Sequence, residues 1–485
     1  MIGPEIAMSE DLLEILAGLA RRARAKVYVV GGYLRDRLLD REPVDLDLLV
    51  EGSPAPFLHA VSAAARFDPI VFSRREPVTY RVAMNDWLVD ISACRAGGLT
   101  AALQRRDFTI NALAAPLRVT PRSPAGQPRP LASLGEIIDP LGGLDDLKAR
   151  RIRHIATEAL DEDPLRLLRA VRLAVILEGF TLDSDLRRQL REKARLIDGV
   201  PVERVLPEME VVMASPRAGA GLRMMADFNL LFQLFPELKP LEGLRQNRWH
   251  RFDALEHTLR CVEEADALQN GHPALMIDAR LGVEDAEVLK WSSLYHDTGK
   301  AATARMGEDG EAHFYGHETI SAQLAVQALG RLRAGSRKIE RIRKLIENHL
   351  RLTLLSEGEA SEKALRRIVN QLKYDTPLLC LLALADRRAG GGERFEERLA
   401  RLERVAARVM GIFLTEGERV ISPRALLSGE EVMEILGLHP GPRVGSVMRW
   451  LTRLQVEEKV TGRDDAVAML RSLPPSRILT LDDEQ

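Results

Sequence analysis

Strand-like patterning is confined to the first third of this 485-residue chain, and that boundary limits the folds open to it. The run VYVV at 27–30 is a short β-type segment ended by Gly31 and Gly32, and Tyr33–Leu39 then reads as a helix. Residues 45–50 begin with polar and apolar alternation, as a strand with one wet face does, and Trp87–Ser92 is a further strand candidate. From about residue 150 helical spacing takes over. Leu165, Leu168, Val171 and Val175 recur at helical intervals behind Asp163 and Pro164, and a proline suits the first helical turn, where a missing amide hydrogen costs nothing. Further amphipathic helices are predicted over 202–238. A helical region at 250–389 holds seven of the ten histidines, a charged helix follows at 391–416, and a small unit closes the chain at 422–473. The pattern predicts an α+β fold, a small sheet domain followed by helices. Residues 120–130, rich in Pro, Ser, Gly and Arg, read as a surface loop, and the acidic tail after Pro475 as disordered.

Composition bounds the function classes. Hydrophobic residues at 46% and charged residues at 29% describe a globular chain, and its length calls for several domains. The formal net charge is −2, so any nucleic-acid surface must be local. Cys94, Cys261 and Cys380 lie far apart and form no CxxC pair, which argues against a disulfide framework or zinc ribbon and for a reducing, cytoplasmic setting. The first residues show no basic-then-apolar leader, and the longest apolar run, near 378–385, is too short to span a bilayer, so no membrane partner is expected.

The chemistry-bearing residues begin with Asp45 and Asp47. Two apart on a strand, they project from one face, where two carboxylates can hold divalent cations for nucleotidyl transfer. Such a pair alone is weak evidence. Its setting is more specific: Gly31 and Gly32 open a helix whose first amides can meet phosphate, with Arg35 one turn in. Asp90, on the strand-like run LVDI, is a candidate third carboxylate and equally a strand-edge residue. Downstream, RRDFTINALA at 105–114 brings Arg105 and Arg106, which suit a triphosphate or merely flank a helix start.

The segment EDPLRLLRAVRLA at 162–174 places Asp163 and Arg166 three apart at a helix start. An acceptor beside a donor matches cytosine and adenine, which both present an amino donor next to a ring-nitrogen acceptor. Guanine and uracil present the reverse and would leave buried polar groups unpaired. The plainer alternative makes Asp163 an N-cap before Pro164.

These segments, VVGGYLRDRLL, VDLDLLV, RRDFTINALA, DPLGGLDDL and EDPLRLLRAVRLA, resemble in sequence and order the class II tRNA nucleotidyltransferases, the family of bacterial CCA-adding enzymes and bacterial poly(A) polymerases. VERVLPEME at 202–210 is similar to the family's next motif, and 426–451 to the RNA-binding tail of bacterial members. The resemblance implies a nucleotidyltransferase head at 1–150 with a polymerase-β-like palm and a helical neck at 151–245 that binds base and RNA. An HD domain would follow at 246–395, and a helical RNA-binding tail at 415–475. It implies Asp45 and Asp47 as catalytic ligands of Mg2+. Gly31, Gly32, Arg35, Arg106, Arg169 and Arg172 would lie against the nucleotide, and Asp163 and Arg166 would read its base. The implied activity is addition of C and/or A from CTP and ATP to the tRNA 3′ end, without a template. One departure stands out: only AGGLTAALQ separates Arg95 from Arg105, where CCA-adding members carry a longer stretch with a flexible loop linked to the final A. The short form resembles members that add only CC and leaves room for a specialised adenylyltransferase.

His257, His296, Asp297, His317, His349 and Asp386 resemble an HD-type phosphohydrolase set, which implies a second divalent or transition metal that activates water, with Lys300 one turn after the dyad as a phosphate partner. Many family members keep such a body only as structure. The competing readings are a poly(A) polymerase, a working phosphohydrolase acting on RNA ends beneath a head that only binds RNA, and an RNA-binding scaffold. The basic run Arg331–Lys344 reads as a solvated helix face, and 437–445 as a connection between two tail helices that glycines let approach RNA.

Overall fold

A computed structural model describes residues 4–65, 68–73, 78–84, 87–94, 97–118, 134–277, 280–308 and 310–474; the loop expected at 120–130 and the tail after Pro475 lie outside them. The chain divides into two compact units, Met1–Val200 and Pro201–Gln485.

The first unit is built on a six-stranded sheet. Its strands are β1 (Lys26–Val30), β2 (Leu46–Glu51), β3 (Ile70–Ser73), β4 (Thr79–Met84), β5 (Trp87–Ala93) and β6 (Ala114–Pro116), in the spatial order β3-β4-β5-β2-β1-β6. Only β2 and β5 run parallel. The strands expected at 27–30, 45–50 and 87–92 are β1, β2 and β5, and Asp45 falls one residue before β2. Registered neighbours share a face. One face carries Val27, Val29, Leu48, Val50, Val89 and Ile91, all buried. The helices α1 (Pro4–Arg22) and α3 (Ala55–Ala64) add Leu12, Leu16, Phe57 and Val61, also buried. Burying each such side chain contributes roughly 1.5–3 kcal/mol. On the other face Val30 and Leu49 are buried with Leu103, Ala112 and Ala114, and beside them the partly exposed Asp47 and Asp90 mark the site.

Helices α2 (Gly32–Leu38), α4 (Gly98–Gln104), α5 (Gly143–Lys148), α6 (Glu158–Glu162), α7 (Leu165–Ile176) and α8 (Ser184–Lys193) complete this unit. The helical stripe expected on α7 is the one that packs: Leu165, Leu168, Val171 and Val175 are all buried. A short parallel pair, β7 (Arg151–Ile152) with β8 (Thr181–Leu182), was not legible in the sequence because two residues carry no periodicity.

The second unit is almost wholly helical. It comprises α9 (Val202–Ala214), α10 (Ala218–Asp227), α11 (Leu230–Leu234), α12 (Ala254–Leu268), α13 (Val283–Tyr295), α14 (Lys300–Thr303), α15 (His317–Arg331) and α16 (Ser336–Asn348). It continues through α17 (Leu350–Ser356), α18 (Glu362–Leu372), α19 (Thr376–Gly390) and α20 (Phe395–Ile421) to the tail helices α21 (Gly429–Leu436), α22 (Pro442–Val456) and α23 (Arg463–Arg471). A two-residue hairpin, β9 (Arg305–Met306) with β10 (Ala312–His313), interrupts it. The apolar run at 378–385 is buried throughout, as a helix apolar on every side must be, and α19 packs on α12, α13, α16, α17, α18 and α20. Among the described residues no helix is long and apolar enough to cross a membrane. The charged helix expected at 391–416 is α20, shifted to start at Phe395 and end at Ile421. The tail helices enclose their own small core of Val432, Val447, Leu451, Val460 and Leu470.

Candidate active site and candidate metal centre

The second face of the head sheet carries a cross-strand row that runs from a buried valine to partly exposed carboxylates. Val30 on β1 faces Asp47 on β2, Asp47 faces Asp90 on β5, and Asp90 faces Arg81 on β4. Asp45, two residues before Asp47 and exposed, stands on the same side. Surrounding protein, then Asp47, then Asp90, push the Asp45 carboxyl above the ordinary carboxylate range. An excess of negative charge carried by hard oxygen donors fits a divalent cation. The candidate third carboxylate is already engaged: Arg81 Nε and Nη2 donate to the two Asp90 oxygens at 2.7 and 2.8 Å, and Arg81 stacks on Phe72.

Glycine at the turn is required by the backbone conformation there. Gly31 has φ +79°, and a Cβ there would stand 2.3 Å from Arg106 Nη1 and 3.0 Å from Asp47 Oδ2. Arg106 lies 3.3 Å from Asp47 Oδ2, so the glycine, the carboxylate and the arginine meet as the sequence order suggested. Gly32 begins α2.

Arg35 is placed differently from its expected role at phosphate. It is buried, with Nε and Nη2 on Asp36 at 2.9 and 2.7 Å and Nη1 on Asn111 Oδ1 at 2.7 Å. Asn111 Nδ2 donates to Asp107 Oδ1 at 3.0 Å, and Arg169 Nη1 reaches Asp107 Oδ2 at 3.3 Å. Burial alone would raise the Asp107 carboxyl, but Arg169, Asn111 and the Phe108 amide hold it below its ordinary value. The chain Asp36–Arg35–Asn111–Asp107–Arg169 thus ties the glycine-turn helix to RRDFTIN and to α7. A second brace lies beneath it. Asp146, with no exposed side-chain surface, accepts from Thr109 Oγ1, Arg151 and Arg153, and a Cβ on Gly143 would meet the Thr109 carbonyl at 2.2 Å. That close approach gives DPLGGLDDL a physical reason for its glycine.

Asp163 sits between α6 and α7, and the residue that precedes α7 is Pro164, with no side-chain cap, so the N-cap alternative does not describe it. Arg166 donates to the carbonyls of Ala159 (2.9 Å) and Arg105 (2.5 Å). Arg172 follows one turn after Arg169 on α7. A cavity of about 640 Å³, lined by Leu49, Ser92, Ala102, Arg105, Arg106, Glu162 and Arg166, opens between β2 and the α6–α7 corner. That volume is of nucleotide size. Its wall includes α4, which occupies nearly all of the short connection before Arg105.

In the second unit the structure gathers all six expected HD residues. His257 comes from α12, His296 and Asp297 from the end of α13, His317 from the start of α15, His349 from the end of α16 and Asp386 from α19. His257 Nε2 lies 3.3 Å from Asp297 Oδ2 and 3.0 Å from Asp386 Oδ1; His317 Nε2 is 3.2 Å and His349 Nε2 3.9 Å from Asp297 Oδ1. Among the described residues, the groups of three or more ligating side chains within 4.8 Å of one another are His250, His257 and Asp386; His257, His296 and Asp297; and Asp297, His317 and His349. All belong to this cluster.

The cluster's electrostatics call for positive charge. Burial pulls His296 down, but Asp297 and Asp386 outweigh it and raise the imidazole to about 10. Burial would lift Asp297, yet His296 and Lys300 hold it well below its ordinary value. His349, with burial, His296 and His317 against it, falls to about 3. Burial, Lys300 and His257 bring His250 to about 2. The buried Nε2 atoms of His317 and His349 lie 3.2 and 3.9 Å from Asp297 Oδ1 without hydrogen-bond geometry, an arrangement that fits a metal ligand set. Lys300, expected at a phosphate, donates instead to Asp297 Oδ2 at 2.6 Å and Gln246 Oε1 at 2.7 Å.

Sequence reading missed Arg81, Asn111, Asp107 and His250 as site residues. A lone Arg in the apolar strand TYRVAM was the available signal for Arg81; for His250 it was the three-residue spacing from Asn247. The basic run at 331–344 was expected to be solvated, but it is a paired and partly buried face: Arg331 meets Glu237, Lys338 meets Glu210 and Glu287, Arg341 meets Asp285 and Asp375, and Arg343 meets Glu340 and Glu347.

Comparison with known proteins places these features in one family. Residues 27–153 match the Poly A polymerase head domain, 179–242 the probable RNA and SrmB-binding site of polymerase A, and 254–391 the HD domain. The chain is 33% identical over 456 residues to the A-adding tRNA nucleotidyltransferase of Deinococcus radiodurans, covering 91% of this chain and 94% of that one. It is 34% identical over 451 residues to the CC-adding tRNA nucleotidyltransferase of Thermus thermophilus, covering 91% and 92%. Its fold matches the Thermotoga maritima CCA-adding enzyme complexed with tRNA, at a TM-score of 0.59 and 19% identity over 97% of this chain and 95% of that one. It equally matches the Bacillus stearothermophilus CCA-adding enzyme in complex with CTP, at 0.59 and 20% over the whole of both chains. With the poly(A) polymerase head, its RNA-binding segment and the HD domain in one order, this chain belongs to the tRNA nucleotidyltransferase family.

Proposed function

We propose that this chain carries out one part reaction of CCA synthesis, adding either CC or the terminal A to the 3′ end of tRNA from CTP or ATP. The observation that carries the restriction is the connection before RRDFTIN. It is nine residues, seven of them in α4, and Arg105 at its end accepts the Arg166 guanidinium. That leaves no length for a loop that would re-aim the base-reading corner after CC. The two relatives at one-third identity, an A-adding and a CC-adding enzyme, support the same reading. They do not favour a poly(A) polymerase.

Asp45 and Asp47 would hold magnesium, which when bound activates the RNA 3′-hydroxyl and stabilises the pyrophosphate leaving group. The chain's own residues do the positioning. Arg106, beside Asp47 and over Gly31, is placed to meet the triphosphate, and Arg169 and Arg172 present further cations from α7. Asp163 and Arg166 would read the amino-donor and ring-acceptor edge shared by C and A, with Arg166 aimed by the Ala159 and Arg105 carbonyls. Incubation with tRNAs ending before CCA, after C and after CC, with CTP and ATP supplied separately, tests this. Extension by one nucleotide class alone is expected, and a complete CCA from a tRNA lacking it would defeat the part-reaction reading.

A second activity is favoured by the Nε2 atoms of His317 and His349, which gather at Asp297 without hydrogen-bond geometry. They suit a transition-metal centre that hydrolyses a phosphate ester at an RNA end. Metal-dependent phosphate release from RNA bearing a terminal or 2′,3′-cyclic phosphate, lost in His296→Ala, is the test.

A further inference from the structure

Three imidazoles of the HD cluster share one device. His296 Nδ1 meets the Ser293 carbonyl at 2.8 Å, His317 Nδ1 the Phe314 carbonyl at 2.7 Å and His349 Nδ1 the Ile346 carbonyl at 2.7 Å. In each case the acceptor lies three residues earlier. A ring that donates from Nδ1 keeps its lone pair on Nε2, and metal-ligating histidines are oriented this way.

His250 carries the same device with a side chain as acceptor. Its Nδ1 lies 3.0 Å from Asn247 Oδ1, again three residues earlier. The same oxygen accepts the Trp249 amide at 3.2 Å, so the ring must donate there and Nε2 keeps the lone pair. The ring meets His257 edge-on with centroids 5.0 Å apart, and His250, His257 and Asp386 bring ligand atoms within 4.8 Å of one another.

We propose that His250 is a further ligand of the HD centre, and that it closes one of two cation positions. This rests on the metal-centre reading given above. Among the described residues, His250, His257 and Asp386 form one group and share His257 with the group His257, His296 and Asp297, while Asp297, His317 and His349 form another group. The two groups that share His257 supply more protein donors to a first-row ion, whereas the three donors of the other leave room for water and a phosphate oxygen. The first position therefore holds a resident ion of the imidazole-seeking class, such as cobalt, nickel or zinc. The second is where a phosphate ester meets its metal.

Cobalt titration of the full chain, after removal of metal by a chelator, separates the alternatives, read by visible absorption and by calorimetry. The parent is expected to show a tight and a weaker class of site. His250→Ala should weaken the tight class by about a hundredfold and alter its absorption, with the weaker class retained. His317→Ala should do the reverse. Asn247→Ala keeps the ring and removes its acceptor, so a loss of about tenfold in the tight class is expected, and it decides the matter where His250→Ala does not fold. Parent-like binding by the folded His250 variant, or by the Asn247 variant where that is the one that decides, overturns the role of His250 while leaving the metal centre intact. A parent that binds no cobalt, matched by His296→Ala, removes the metal centre and the inference together.

Discussion

The head and the HD body collect cation-binding side chains by opposite means. In the head, carboxylates stand at the rim of a sheet face: Asp45 is exposed and the Asp47 side chain keeps 37% of its surface. In the body, the side chains of His257 and His296 are fully buried and Asp297 is 2% exposed. Hard oxygens near water suit an ion that arrives and leaves with its nucleotide, still partly hydrated. Imidazoles fixed by backbone carbonyls suit an ion that stays. On the proposed function, the contrast teaches that burial and second contacts, more than donor count, would distinguish a working cofactor from a resident one.

The largest expected effects separate the two centres. Asp47→Ala should lower nucleotide incorporation by more than about a hundredfold, since even outer contacts of metal ligands reach that range. It should leave cobalt binding by the body untouched. His296→Ala should abolish the tight class of cobalt binding and phosphate release while incorporation stays at the parental rate. Steady-state incorporation on tRNA and the cobalt spectrum, measured on both variants, check this. Normal incorporation by Asp47→Ala would remove the head assignment altogether.

An intermediate effect tests the support beneath the head. Asn111→Leu breaks the bridge from Arg35 to Asp107 and leaves each of these buried charged groups one hydrogen bond short, at a cost of about 1–3 kcal/mol. Arg169 then loses its fixed position, so incorporation should fall with a raised KM for the nucleotide. Denaturant melts and nucleotide-dependent kinetics give the two readouts. A variant with parental stability would show that the bridge is not a brace.

How much of this was legible in the sequence differed by residue. Asp45, Asp47 and the glycine turn were legible because strand alternation and a forced left-handed turn leave local marks. The stripe on α7 was legible for the same reason. The six HD residues were legible only through their order, since two helices far apart in sequence, α12 and α19, supply His257 and Asp386. The partners of Arg35 were not legible, because nothing local says that its guanidinium turns toward Asn111, 76 residues on. Arg81 and Asp90 form a cross-strand pair, and β4 was not recognised as a strand, so their meeting could not be anticipated. Lys300 illustrates the same limit: one helical turn from Asp297 was legible, but the direction of its ammonium was not.

The smallest effect concerns stability, and its sign should differ between the two centres. Asp45 has its carboxyl raised above the ordinary value, by its surroundings, Asp47 and Asp90. Between the ordinary and the raised value the unfolded chain has lost a proton that the folded chain still holds, so stability falls as pH rises through that window. Above it the cost is constant. Asp45→Asn removes that cost, so in the presence of a chelator the variant should melt slightly above the parent at neutral pH and match it in acid. Magnesium should narrow the gap, because only the parent gains from binding. In the body the corresponding change runs the other way. His296→Ala strips Asp297 of its largest positive neighbour and leaves a buried carboxylate under-compensated, so that variant should melt below the parent without any metal present. Melting curves across the acid-to-neutral range, recorded for both variants in chelator, decide it. A lower melting point for Asp45→Asn at neutral pH would mean that the head carboxylates do not repel one another, and with it would go the distinction between an open site under charge strain and a closed one held together by charge.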